Sequence, residues 1–467
     1  MKLVKLLLTC GVFGSMLAAT TFAQNPSAAD LHQPASVSKA AYSDNYMYFT
    51  PNDNGAPAAG ATAESEKKTE AAPDEEKKDE PAAEEEKAPE PHRLIGKLGC
   101  TKINITGWLD MGWTGNTDNP ASRYNGTLAP NDRNEFQFNQ LYMVMEKPLK
   151  TDDCTWDIGG RVDLLYGTDY IFCESLGFET NPDGSPKWNA GIDYGLAMPQ
   201  AYVDIGYGKV DLKVGRFYTP IGYESMMAIS NFFYSMNYTL RYAEPTTHTG
   251  GLLTYKKSDE LSLFVGGVNG QDETDGLVDS LGVITGFNWT PKEQKYALNF
   301  AIMTGCLDPT TADPTVYAPR TEFSTYLTYN FNKKWQSVTQ FDAGWQQNYD
   351  LLGNTADYWS FTQYLFYTIN DCWKAGLRYD LFLDDQGTKL GGLRFGGLPG
   401  GNPLSLPSGN AGPVQAITAG LNWTPNPNFR LRPELRWDWY GGSGLPLFDD
   451  LSKNSQFTAA VDGIIQF

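Results

Sequence analysis

Five charged side chains, Arg430, Arg432, Glu434, Arg436 and Asp438, stand two residues apart in FRLRPELRWDWY, and Phe429, Leu431, Leu435, Trp437 and Trp439 lie between them. A spacing of two puts the charges on one face of an extended strand and the apolar side chains on the other. The pattern recurs at 373–384, where Lys374, Arg378 and Asp380 share a face, and at Arg161 and Asp163. Rows of fixed acids and bases set up a field across any space they line. Such a field sorts and orients polar solutes without making or breaking a covalent bond.

Covalent chemistry finds little support. The histidines are His32, His92 and His248, so a Ser/His/Asp hydrolase in the C-terminal region would depend on His248. That residue opens HTGG at a strand entrance, which suits a structural or wall-lining role. Asp163, Asp169 and Glu224 can be drawn as glycosidase-like carboxylates, but acids facing a wet interior account for them more simply. Beyond residue 23 the cysteines are Cys100, Cys154, Cys173, Cys306 and Cys372, with no CxxC pair and no histidine at metal-ligand spacing. No enzyme activity, metal or cofactor is expected. A Cys100–Cys154 disulfide is one pairing to test. The formal charge is -19 over 467 residues, with the acidic excess extending beyond the leader, which disfavours a nucleic-acid partner.

The elements that must hold these rows are strands. From Lys102 onward apolar and polar residues alternate, as in Ile103, Ile105, Leu109, Met111 and Trp113 against Lys102, Asn104, Thr106 and Asp110. Strands are expected near 102–114, 136–147, 155–166, 199–207, 209–217, 249–257, 261–269 and 281–289. The series continues near 295–304, 320–330, 335–345, 357–369, 373–384, 414–423, 429–440 and 455–467. Connections alternate short and long, which places both ends of the series on the short-turn side. The fold class expected is all-β: a transmembrane antiparallel β-barrel of about sixteen strands behind a disordered N-terminal leader. Pro433 counts against its strand, because it lacks a ladder donor and implies a bulge. Tryptophans at strand ends, among them Trp289, Trp335, Trp373 and Trp423, read as interfacial girdles.

Three domains follow. Residues 1–23 carry Lys2 and Lys5, an apolar core and a small-residue end at Ala23, the pattern of a cleaved signal peptide. Residues 24–92 read as a disordered acidic linker rich in Pro, Ala, Glu and Lys, with 12 acids against 5 lysines in 64–90. Residues 93–467 form the barrel. No run of 18 apolar residues follows the signal peptide, so a membrane passage must be made by strands.

One connection is unlike the others. Between strands at 209–217 and 249–257 lies an aromatic, Gly/Pro-containing insertion at 218–248, with Tyr218, Tyr223, Glu224, Asn231, Tyr234, Arg241, Glu244 and His248. It is the third long loop, and its strands face Arg378 and the 430–438 row across a sixteen-strand ring. Folded inward, it brings Glu224 and Glu244 toward that basic wall.

RVDLLYGTD at 161–169, PQAYVD at 199–204, GRFYTPIGYE at 215–224, NFFYS at 231–235, and Pro245 followed by HTGG at 248–251 together resemble the OmpL-like β-barrel porin family. The resemblance covers most of 101–467 and leaves the acidic leader outside. It implies a bacterial outer-membrane porin, and the plan is similar to that of general sixteen-strand porins, whose third loop narrows the lumen. The function expected is passive diffusion of small hydrophilic solutes and ions. The alternatives are a plugged barrel serving as a structural or adhesive surface protein and a soluble β-rich carbohydrate binder. Expected partners are outer-membrane lipid, small hydrophilic solutes and the barrel-assembly machinery, which the terminal Phe467 would engage. Cell-wall contact through the leader, which would lie in the periplasm, and a homotrimer are left open.

Overall fold

The computed structural model describes Arg93, residues 96–99 and 101–467, except 122–124, 126–134, 152–154, 183–184, 190–193, 277–279, 310–316, 348–351 and 391–410. The expected signal peptide and linker, His32, His92, and both members of the Cys100–Cys154 pair lie outside the described residues.

Sixteen long strands make one antiparallel sheet. They are β1 Asn104–Asn116, β2 Phe136–Lys147, β3 Trp156–Gly167, β4 Gly195–Tyr207, β5 Val210–Tyr218, β6 Thr247–Lys256, β7 Leu261–Val268 and β8 Gly282–Trp289. The second half comprises β9 Tyr296–Pro309, β10 Tyr317–Asn330, β11 Trp335–Gln346, β12 Ala356–Asn370, β13 Trp373–Asp384, β14 Gly412–Asn426, β15 Phe429–Tyr440 and β16 Ser455–Gln466. Each strand pairs with the next, and β16 returns to β1. Closure removes every sheet edge, as a barrel in lipid requires. A two-residue strand, Gly96–Lys97, folds back on the start of β1. At the other terminus Phe467 exchanges two backbone hydrogen bonds with Gly107, at 2.8 and 2.9 Å.

The faces are inverted relative to a soluble sandwich. On β15, Leu435 and Trp437 are 52% and 51% exposed on the outer face, while Arg436 and Asp438 are 1% and 0% exposed on the inner one. Charges inside and large apolar side chains outside make burial by lipid the consistent solution, so the soluble-binder reading fails. Aromatic pairs such as Trp156 with Tyr207, Trp335 with Tyr367 and Trp373 with Trp423 mark the turn end of the wall, with ring centroids 4.8, 4.6 and 6.0 Å apart. That placement fits an interfacial girdle.

Two local expectations change. β4 begins at Gly195 rather than near 199, and β9 runs through a bulge between Thr304 and Cys306 to Pro309. Pro433 sits inside β15 without displacing the register: it pairs with Val461 of β16, and Gly420↔Glu434 and Trp423↔Leu431 flank it on the β14 side. The bulge lies nearer the turn, between Trp423 and Asn426.

Candidate functional site

The connection between β5 and β6 spans 219–246 and is described throughout. Tyr218 therefore closes β5 and His248 belongs to β6, two strand residues where loop residues were expected. Both are structural ties. Tyr218 shares a hydrogen bond of 2.9 Å with the Tyr142 hydroxyl. His248 bonds the Gly270 carbonyl through Nδ1 at 2.9 Å and Thr219 Oγ1 through Nε2 at 2.8 Å. A carbonyl only accepts, so Nδ1 carries the proton, and Nε2 accepts from the threonine.

The loop, the third long one and hereafter loop 3, is laced to side chains from the inner face of the barrel. Arg378 on β13 donates to Glu224 Oε1 and to the Ser235 carbonyl, both at 2.7 Å. Arg432 donates to the carbonyls of Ala228, Asn231 and Phe233, Arg430 to those of Ile229 and Asn231, and Arg436 to that of Met236. Glu434 accepts from the backbone N–H groups of Tyr234 and Ser235 at 2.9 and 3.2 Å. Three arginines and one glutamate on one strand thus satisfy carbonyls and N–H groups of a loop that has left any sheet ladder. Asn237 caps the short helix α1 Tyr238–Tyr242, accepting from Leu240 N, while its amide donates to Tyr364 on β12 at 2.8 Å. Tyr238 donates to Asp438 at 2.8 Å.

Glu224 meets the basic wall as expected, but Glu244 does not. It accepts from Gln340 on β11 at 2.8 Å, because by then the loop has crossed to that side, where Arg320 on β10 holds the Ala243 carbonyl. Arg241 lies over the Phe172 ring, 4.9 Å from its centroid. Asn231 exchanges two hydrogen bonds with the Ser225 backbone and closes a turn within the loop. Lys374 on β13 sits 5.6 Å from the Phe366 ring.

The wall charges are paired with one another. Arg161 bonds Asp163 at 2.5 Å, and Asp163 also accepts from Tyr142 and Gln200. Arg378 contacts Asp380 at 3.0 Å, Arg436 contacts Asp438 at 2.9 Å and Asp380 at 3.6 Å, and Arg432 forks onto Asp462 of β16. Asp163, Asp169 and Glu224 have separate partners and form no carboxylate pair. The expected freely wetted rows are instead buried, because loop 3 covers them.

Three inward glycines, absent from the sequence-based site, receive the Phe232-Phe233-Tyr234 triplet. A Cβ at Gly112 on β1 would overlap the Tyr234 hydroxyl, one at Gly376 on β13 would overlap the Phe232 ring, and one at Gly420 on β14 would stand 3.2 Å from Phe233. Glycine inside a strand often marks such a close approach, so this signal was present in the sequence. Near Tyr234, a cavity of about 20 Å³ lined by Thr114, Ser235, Glu434, Arg436, Gln456 and other residues has room for about one water. Arg436 Nη2, which has no hydrogen-bond partner among the described residues, is one buried donor that such a water would satisfy.

Apolar clusters complete the packing. Met226, Met227 and Leu240 of loop 3 join Trp108, Tyr142 and Leu165 of the wall and Tyr170, Ile171 and Phe172 of the second long loop, loop 2, residues 168–194. Tyr238, Tyr242 and Ala243 join Phe382 and Val414 of the wall, Leu390, and Leu447 and Phe448. Loop 2 is fixed by Arg216, which donates to both Glu179 carboxylate oxygens at 2.6 and 2.8 Å and to the Cys173 carbonyl at 2.6 Å.

Loop 2 also carries a buried acid, Asp169, and a half-buried one, Glu174. Burial, and secondarily Asp462, push the Asp169 carboxyl up to about 7 against the hydrogen bonds from Gln140 and Thr168 and the nearby Arg432. Burial and Glu179 push Glu174 up to about 7 against Asn189 and Arg216. A carboxyl whose folded pKa is raised favours the packed arrangement while protonated, and that support is lost as pH rises through about 7. Limited proteolysis of loop 2 is expected to be slow at acidic pH and faster above neutrality. A D169N/E174Q variant should show little of this pH dependence; an unchanged profile would place its origin elsewhere.

Residues 102–467 match the model of a family described as "Putative beta-barrel porin-2, OmpL-like". No match is found among curated proteins. Among solved structures the chain is similar to OmpT, an outer membrane protein of Vibrio cholerae, at 9% identity and a TM-score of 0.50, covering 78% of this chain and 97% of that one. It is similar to Salmonella typhi OmpF in complex with daunomycin at 13% identity and a TM-score of 0.50, with the same coverages of 78% and 97%. The outer membrane channel DcaP of Acinetobacter baumannii matches at 11% identity with a TM-score of 0.49, covering 78% of this chain and 97% of that chain. At these identities the likeness is one of fold.

Proposed function

The chain belongs to the OmpL-like β-barrel porin family, and on that premise we propose that it is a passive outer-membrane channel for small hydrophilic solutes and ions, narrowed by loop 3. The observation that carries this reading is the lacing of 219–246 to inward side chains of β2, β10, β11, β12, β13 and β15. A segment held across the interior at so many points sets the size of what passes beside it. The paired arginines and acids along β13 and β15 add a transverse field, which orients dipolar solutes and slows apolar ones. Residues 1–23 would direct export, and 24–92 would remain on the periplasmic side with the short turns. A homotrimer in the outer membrane is compatible with this arrangement.

Purified, folded protein in a planar bilayer is expected to give ohmic current steps. A correctly folded barrel that carries no current would defeat the channel reading. The apolar clusters that tie loop 3 to loop 2 and to the residues around Phe448 favour a second reading, a plugged barrel that presents its loops. Liposome swelling separates the two, because a plug leaves sugars outside.

A further inference from the structure

Resting on the channel reading, we propose that Tyr223 of loop 3 and Tyr326 of β10 form a stacking subsite within the pore for an uncharged sugar ring. The two rings meet edge to face with centroids 5.5 Å apart at 65°. Both are partly exposed although they stand inside the barrel, so solvent reaches them. Tyr364 backs Tyr223 at 4.9 Å, and Phe232, Phe366 and Val338 complete a buried cluster behind the pair. The platform is therefore held rigid before any solute arrives.

The chemistry selects the ligand. Neither the Tyr223 nor the Tyr326 hydroxyl makes a hydrogen bond among the described residues, whereas the neighbouring Tyr364 hydroxyl accepts from Asn237. The inner-face row that starts at Tyr326 continues through its cross-strand partners Gln340, Thr362 and Asp380. Gln340 Oε1, Thr362 Oγ1 and Asp380 Oδ1 are all buried and lack hydrogen-bond partners among the described residues, as does Ser324 Oγ, two residues from Tyr326 on the same face. Buried polar atoms of this kind call for water, so the seam beside the tyrosine pair is hydrated.

A sugar ring offers a C–H face to an aromatic ring and hydroxyls to phenols and ordered water. A purely aromatic solute would leave both phenols without partners, and an aromatic anion such as benzoate would bring a charge that nothing beside the pair among the described residues is free to balance. Charge is not what the pair reads: the adjacent Glu224 carboxylate is already engaged by Arg378. Lys374 is separated from Tyr223 by the Phe366 and Tyr364 rings.

The test is ion current through the folded full-length protein in a planar bilayer with glucose or maltose added, and benzoate as the aromatic comparison. Saturable block by sugar is expected. Tyr223→Phe and Tyr326→Phe, which keep the ring packing, should each weaken the block about tenfold, equivalent to about 1.4 kcal/mol. Conducting channels without saturable sugar block overturn the subsite and leave the channel reading intact, as does sugar block that both variants leave unchanged. Block by benzoate alone also overturns the assignment to sugars. A folded barrel without current overturns the channel reading and, with it, this one.

Discussion

Replacing Arg378 with glutamine is expected to release loop 3 from the far wall and raise single-channel conductance severalfold. Arg378 is fully buried and joins three things at once: Glu224 of the loop, Asp380 of its own strand, and the Ser235 and Met236 carbonyls. Removing the guanidinium leaves two buried carboxylates short of their cation, a loss of about 3–5 kcal/mol when one side of a buried pair is removed. The barrel ladders are untouched, so the structure relieves the penalty by local opening of the loop rather than by global unfolding. A second variant isolates the cause. Glu224→Gln added to Arg378→Gln removes one stranded charge, so the pair should lose less stability than the two single losses together, with a coupling of about 0.5–3 kcal/mol. Unchanged conductance in a variant that keeps the heat-modifiable migration of a folded barrel would show that the remaining arginines hold the loop without Arg378.

Much of this architecture was legible before any coordinates, for a physical reason. A closed barrel between lipid and its own interior forces a period of two on every strand, and the turns and loops must alternate. That is why the boundaries of β2, β13 and β15 coincide with the sequence pattern. The identity of the inward faces was equally legible, because Arg430 to Asp438 can point only one way when Leu435 and Trp437 point at lipid. The partners of those charges were not legible. Which acid an arginine meets depends on strand stagger and on the path of a loop with no ladder of its own, so Glu244 crossed to Gln340 while Glu224 found Arg378. The expectation that the charged rows stand in open water failed for a related reason. Met226, Met227 and Leu240 are apolar residues that a loop resting on a solvated rim does not need, and inside the barrel they become core. Gly112, Gly376 and Gly420 were visible as interruptions in strands, but only the folded loop reveals which aromatic ring each admits.

Arg430, Arg432 and Arg436 look equivalent in sequence, yet Arg432→Gln and Arg436→Gln are expected to change conductance more than ion preference. Arg432 is bound by Asp462, and Arg436 by Asp438 and Asp380. A buried carboxylate stripped of its arginine neutralises by taking up a proton, so the local charge changes little when either arginine is lost. Arg430 holds the Ile229 and Asn231 carbonyls of the loop. A full positive charge facing an ion some 4 Å away in water is worth about 1 kcal/mol, or about fivefold in the permeability ratio, and this is an upper bound for all three arginines because each is buried. In molar salt the Debye length falls to about 3 Å and the shift should shrink. Arg432→Gln and Arg436→Gln should act through the loop instead, raising conductance more than they move the reversal potential. Reversal potentials of the three single variants in a KCl gradient, read beside their conductances, test the division. Shifts near that bound in all three would return the row to a uniform basic wall.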